Sequence, residues 1–462
     1  MKTNHPSSMF QVFKLALPLA GSRLISTFMG FVGAILLSHY NATSLAASAL
    51  ISATQVTLIS AGMSIVFSTS ILVGQLFGGK QYDKINNVLQ QAIILALLIS
   101  LLLMMIFWSI GPILHFLQQP KPIIVVVEQY FQVFSFGVPA ILMITATQQA
   151  LFAIQKQFLA LAVDFISLVL TSVLGVGLIY GKFGCPELGV SGLAYAIVIQ
   201  AWVLTFGLLY CVNMNSFFDS FKFKIDQQIL CKLFHIGWPI SISITGEILS
   251  LFAITIMAGW LGINALNAIQ ITSQYLLLLV IPIFGISQAI AILTSHLLGA
   301  RQESLLKTFG WSAMKLAYVP VGIAFIIVIL FPTALMTVFM NTSDIANKMS
   351  VHLASISLTV IVLGQFFDVL RNICSGALRA MGFTIQPMFV SMACLWLLAL
   401  PLAYILGFTY HFGLIGMLIA YDLGMLLAGI TLYKFWVNRA TICESYVTSH
   451  TLRPEIPAQN PS

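Results

Sequence analysis

Three carboxylates of this chain, Glu247, Asp368 and Asp422, fall inside long apolar runs. Glu247 stands 12 residues past His235, Asp368 stands 11 residues before Arg379, and Asp422 stands 12 residues before Lys434. At 1.5 Å of helical rise per residue these offsets are about 16–18 Å from one face of a membrane, so the three acids share a level. A carboxylate at that depth costs several kcal/mol on insertion scales, and it is retained where it faces water or the interior of a bundle. The chemistry open to carboxylates at one depth is reversible binding of a small cation, H+ or Na+.

Each acid also has a plainer reading. Asp368 has Arg371 one turn further on, and an i, i+3 ion pair would neutralise it without any part in transport. Asp422 follows Tyr421 and could serve as a packing hydrogen bond near a pore wall. Glu247 has no basic residue in its own run. Asp164 is shallower, 8 residues from Lys156. Arg23 and Lys315 lie near the ends of their runs, where their stems let the charge snorkel. The eight histidines show no ligand spacing, and His39, His235 and His296 sit near run ends.

The elements that must carry these groups follow from composition. The 462 residues are 59% hydrophobic and 7% charged, with a mean hydropathy of +1.01. A soluble domain carries roughly one-quarter charged residues, so most of this surface must face lipid. The net charge of +7 would suggest nucleic acid in a soluble chain; here the basic residues lie in short loops, and nucleic-acid binding is not expected. The six cysteines lack C-x-x-C spacing, which indicates neither a metal site nor a disulfide framework. The polar start M-K-T-N-H-P-S-S leads into a first span without an A-x-A-like site, so no signal peptide is expected to be removed.

Apolar runs long enough to cross hydrocarbon lie near 14–38, 46–77, 86–116, 124–154, 158–180 and 190–213, and again near 235–261, 266–298, 308–338, 351–378, 386–407 and 414–436. Lipid cannot satisfy stray backbone groups, so every span should be a helix. With the N-terminus in the cytoplasm, only Lys121, Lys182 and Lys348 of the loop lysines and arginines fall outside, which places both termini inside a cell (inner) membrane.

The spans form two related halves at a shift of 221 positions. Pro239 repeats Pro18, Ser243 repeats Ser22, Gly299 repeats Gly78, Arg301 answers Lys80 and Gln302 repeats Gln81. Glu247 falls opposite Ser26, so its acid belongs to one half only. The expected fold class is an all-α membrane protein of twelve transmembrane helices in two pseudo-symmetric six-helix bundles, 1–220 and 221–438. A linker over Asn213–Lys232 joins them, and a disordered cytoplasmic tail covers 439–462.

Several phrases then carry a resemblance: L-A-L-P-L from Leu15, N-A-T-S-L-A-A from Asn41, and L-I-Y-G-K-F-G-C-P-E-L-G-V-S-G from Leu178 to Gly192. The second half adds I-G-W-P from Ile236, G-E at Gly246, L-G-I-N-A-L from Leu261, and F-F-D-V-L-R-N-I-C-S-G-A-L-R-A-M-G from Phe366 to Gly382. The chain resembles the multidrug and toxic compound extrusion (MATE) transporters over nearly its whole length. The resemblance implies a V-shaped pair of bundles that exports amphipathic, usually cationic compounds in exchange for Na+ or H+ by alternating access. It places the cation-coupling residues at Glu247 and Asp368, which would also be the metal ligands if Na+ is the ion; Asp422, by its depth, and Arg371, by its spacing from Asp368, are accessory candidates on the residues alone, and Arg371 is not expected from the family. It implies no cofactor beyond the coupling ion, small amphipathic or cationic substrates and the lipid bilayer as partners, a monomer, and no enzyme activity. The chain departs from the family where an acid in the first helix is usual, since Gly33 stands there, and Thr171 and Gly175 take the place of paired asparagines. Coupling is thereby left to the second half.

Two rivals remain open on the residues. A flippase or exporter of a lipid-linked or anionic metabolite on the same two-bundle architecture would line its cavity with arginines, and only Arg23, Lys315 and Arg371 lie deep. An intramembrane aspartyl protease would use Tyr421-Asp422 with a second Asp in G-x-G-D, a tetrad the sequence lacks.

Overall fold

The structure, a computed structural model, describes residues 8–38, 42–116, 121–213, 225–338 and 348–451. Among the described residues twelve helices are long and apolar enough to cross a membrane. They are α1 Ser8–Leu37, α2 Leu50–Gly78, α3 Tyr82–Trp108, α4 Ile123–Ala153, α5 Gln157–Tyr180 and α6 Val190–Val212 in the first bundle. The second bundle has α7 Gln227–Trp260, α8 Ile263–Gly299, α9 Glu303–Leu330, α10 Met349–Ala380, α11 Ile385–Thr409 and α12 Gly413–Cys443.

Where helices stop differs from the apolar runs for local reasons. The run 86–116 breaks at Ser109, and Ile110–Phe116 is a separate short helix. The run 308–338 breaks at Phe331, because Pro332 disfavours helical backbone at the residue before it. The stretch expected to be disordered from 439 onward is helical as far as Thr451. It holds no Gly or Pro before Pro454, so nothing in it interrupts the ladder carried over from α12. Residues 452–462 and most of the linker, 214–224, lie outside the described residues. The linker's end is fixed: Asp226 caps α7 by accepting from the amides of Gln228 and Ile229 at 3.1 and 3.3 Å. Asn87 of α3 donates to the same carboxylate at 3.2 Å, and the Asp226 amide donates to Gln91 Oε1 at 3.1 Å.

The repeat governs how the bundles meet. α1 packs on α8, α2 on α7, and α2 on α8 across the pseudo-two-fold. Small residues let the backbones touch, as lipid-embedded helices require. A Cβ on Gly78 would collide with the His296 carbonyl, and one on Gly299 would collide with the Gln75 carbonyl. Gln75 and His296 are the same repeat position, so the two contacts are copies of one another. So are two hydrogen bonds there: Gln75 Nε2 donates to the Ala380 carbonyl at 3.2 Å, and His296 Nε2 donates to the Ala153 carbonyl at 2.6 Å. Each bundle thus supplies a donor to the orphan carbonyls at a helix end of the other. Lys80 and Arg301, also equivalent, both end their helices at φ +56°.

The contacts between bundles lie in the half of the span nearer the N-terminus: Ser8 with Ser312 at 2.6 Å, Gly285 against Ala16 and Ala20, and Ser241 with the Ala61 carbonyl at 2.8 Å. From this joined face the bundles diverge, which gives the V. Outward-facing Phe28, Phe31, Leu101, Leu102 and Met105 are exposed, as lipid-facing side chains must be.

Candidate functional site

Helices α7 and α10 bring two of the three acids together, and Arg371 decides how. Its guanidinium Nε donates to Asp368 Oδ1 at 2.8 Å, and Nη2 reaches the same oxygen at 2.7 Å. Nη2 also donates to Glu247 Oε1 at 2.8 Å. Asn372 Nδ2 completes Asp368 by donating to Oδ2 at 2.8 Å. The planar fork of arginine suits this task, because its donors point at two carboxylates at once. The Arg371 and Asp368 side chains are each 3% exposed and that of Glu247 is 27% exposed, so Glu247 is the least enclosed member of the cluster.

The surroundings hold Glu247 in place. Trp396 of α11 donates from Nε1 to the Gly246 carbonyl at 3.1 Å. A Cβ on Gly246 would collide with Met392, so glycine at this position admits α11 against α7. One turn on, Ser250 donates to the Glu247 carbonyl at 2.8 Å and lies 3.3 Å from the Tyr421 hydroxyl of α12.

The structure therefore joins Glu247 and Asp368 through a cation that the chain itself supplies. Arg371 thus bridges the two acids named as metal ligands should Na+ be the ion. The pair of Asp368 with Arg371 was readable as an i, i+3 spacing; the bond across to Glu247 is tertiary and has no signature in the spacing. Asp422 stands apart from this network, against Gly364 of α10, where a Cβ would overlap its carboxylate. No group of three His, Cys, Asp or Glu side chains converges on a common metal position among the described residues.

In the first bundle the position of the missing acid is apolar: a Cβ on Gly33 would meet Leu193 Cδ2 at 3.3 Å. Thr171 donates to Gln200 Oε1 at 3.2 Å. Asp164 accepts from the Ser22 hydroxyl and from Gln148 Nε2, the latter at 2.7 Å, and so ties α5 to α1 and α4. Arg23 stacks over the Phe284 ring of α8 at 5.3 Å, at the joint between the bundles.

Two repeated six-helix bundles, joined along one face and open toward the other, with a charged cluster inside one of them, define a polytopic membrane carrier rather than an enzyme. A family model described as MatE matches residues 18–176 and 239–405; its two starts fall on Pro18 and Pro239, which are equivalent in the repeat. The chain belongs to the MatE family. It is 26% identical to a "Probable multidrug resistance protein NorM" of Synechocystis sp., over 92% of this chain and 94% of that one. It is 24% identical to "Multidrug resistance protein MdtK" of Cronobacter sakazakii, over 86% of this chain and 88% of that one. The fold also matches a crystal structure of MATE in the bent conformation, with TM-score 0.86 and 18% identity over 94% of this chain and 96% of that one. A crystal structure of MATE in the straight conformation matches with TM-score 0.85 and 19% identity, over 95% and 97%.

Proposed function

We propose that this protein is a secondary active exporter of amphipathic, cationic organic compounds, working by alternating access and coupled to a cation, Na+ or H+, in its second bundle. The cluster of Glu247, Arg371 and Asp368 supports this reading more than any other feature. In it two carboxylates share the Arg371 guanidinium, and α12 adds a third acid, Asp422, to the same bundle. The names of the NorM and MdtK relatives agree with a multidrug cargo. The excess of basic residues on loops at the joined face supports a cytoplasmic position for that face and for both termini, in a bacterial inner membrane, so that the V opens outward. A monomer suffices, since both bundles of the pathway are in one chain.

In the cycle, Glu247 is the least enclosed residue of the cluster and also the one that fastens α7 to α10 through Arg371. Occupancy of the second bundle by the driving ion rearranges that fastening and moves α7, which packs on α2 of the other bundle. The lipid-linked or anionic cargo weighed as an alternative needs free basic groups in the cavity, and Arg371 is committed to two carboxylates.

The test is dye efflux from cells. Glu247→Gln should reach the membrane in normal amount while efflux falls by about tenfold or more, the loss of a close charge partner being worth at least about 1.4 kcal/mol. Undiminished efflux in that variant would remove the coupling role.

A further inference from the structure

α12 carries a carboxylate that the ion cluster does not use. Asp422 is 8% exposed, its Oδ2 has no hydrogen-bond partner, and Gly364 leaves the space in which the carboxylate sits. Gln365, the next residue of α10, is also 8% exposed, and its Oε1 likewise has no partner. Both side chains line one cavity of about 30 Å³ between α7, α8, α10 and α12. Thr255 and Ser273 line it too, and each gives its hydroxyl hydrogen to its own helix, to the carbonyls of Leu251 and Ile269 at 3.0 and 2.7 Å. Thr255 and Ser273 thus keep hydroxyl lone pairs free at the lining, along with the Asp422 and Gln365 oxygens that lack a donor; Tyr421 and mostly aliphatic side chains make the other walls.

A buried acceptor with no donor is costly, and a buried carboxylate with neither donor nor cation is more so. Four acceptors around one space call for an occupant that is positive, and a set made only of oxygen is the ligand set of a hard cation. The volume admits one or two occupants the size of water, since about 10–15 Å³ suffices for each. Arg371 directs Nε and Nη2 at Asp368 and Glu247 and does not line this cavity.

We propose that this cavity is a binding site for a monovalent metal cation, with Asp422 Oδ2 and Gln365 Oε1 as its fixed oxygens, and that Na+ is held here rather than between Glu247 and Asp368. The proposal rests on the reading of the second bundle as the cation-coupled half, but its test needs no transport. Binding of radioactive Na+ to the purified full-length protein in detergent, with choline holding ionic strength constant, is measured for the native chain and three variants. The native chain should bind Na+ saturably. Asp422→Asn and Gln365→Leu should each raise the half-saturating concentration by about tenfold or more, a tenfold change being 1.4 kcal/mol. Absence of saturable Na+ binding by the native chain would overturn the site, as a proton-only carrier would show. Full Na+ binding by Asp422→Asn, or loss of binding in Glu247→Gln alone, would overturn it too. Efflux measured on the same preparations separates the two readings: saturable Na+ binding without drug efflux removes the transport reading and leaves the site.

Discussion

Arg371 holds two carboxylates in a place almost closed to solvent, and its worth to the fold follows from what its loss would leave behind. Arg371→Gln exposes Asp368 and Glu247 to each other with no charge between them. Removing one partner from a buried ion pair costs about 3–5 kcal/mol. Thermal melting of the purified protein in detergent should show a large loss for Arg371→Gln and a smaller one for Glu247→Gln, whose carboxylate is the accessible member. The double variant Arg371→Gln/Asp368→Asn should regain part of the loss, because the charge left uncovered in the single variant is then gone. Equal stability of the native and Arg371→Gln proteins would show that the pair contributes nothing. The depth of Glu247 and Asp368 was legible because helical rise converts sequence position into membrane level. The Arg371–Glu247 bond was not, since it depends on the rotation of α10 about its axis, which hydropathy does not specify. Gln365 was missed altogether: a glutamine in a span has no charge to draw attention, and only the unpaired oxygen beside Asp422 marks it.

At the scale of helices, hydropathy alone placed all twelve spans, because no other element can satisfy its backbone in lipid. It did not see what happens inside them. α2 has a turn at Phe67 between two helical pieces, and α11 passes through two π-helical stretches, Ala393–Ala399 and Ile405–Thr409, on either side of Pro401. Proline lacks the N–H that would bond back one turn, which accounts for a disturbed ladder there. Gly364 of α10 makes room for the Asp422 carboxylate of α12. Gly364→Ala should therefore destabilise by about 1–3 kcal/mol, the usual cost of overpacking. Gly364→Ala/Asp422→Ala should be less destabilised than Gly364→Ala, since the group that the new methyl strikes is removed. Thermal melts of the two variants decide it, and a double variant no more stable than the single one would show that Asp422 is not what the new methyl strikes.

For the whole molecule, the joined face is a two-fold interface drawn within one chain, and it is what the proposed alternating access must undo. Its crossed bonds, Gln75 to Ala380 and His296 to Ala153, each contribute about 0.5–1.5 kcal/mol. That is enough to bias the opening and too little to lock it. A covalent lock can be placed beside them. Ser8 and Ser312 belong to opposite bundles and their hydroxyl oxygens lie 2.6 Å apart, close enough for two sulfurs to bond once cysteines replace them, given that a disulfide spans about 2.0 Å. In a background with the six native cysteines removed, Ser8→Cys/Ser312→Cys should cross-link on oxidation, and drug efflux should stop. Reduction should restore it, because the lock keeps the V open on one side without touching the Glu247 cluster. Na+ binding by the oxidised protein should persist, since the cavity at Asp422 lies wholly inside the second bundle. Efflux that continues at the native rate with the cross-link complete would mean that the bundles do not part at this face during transport.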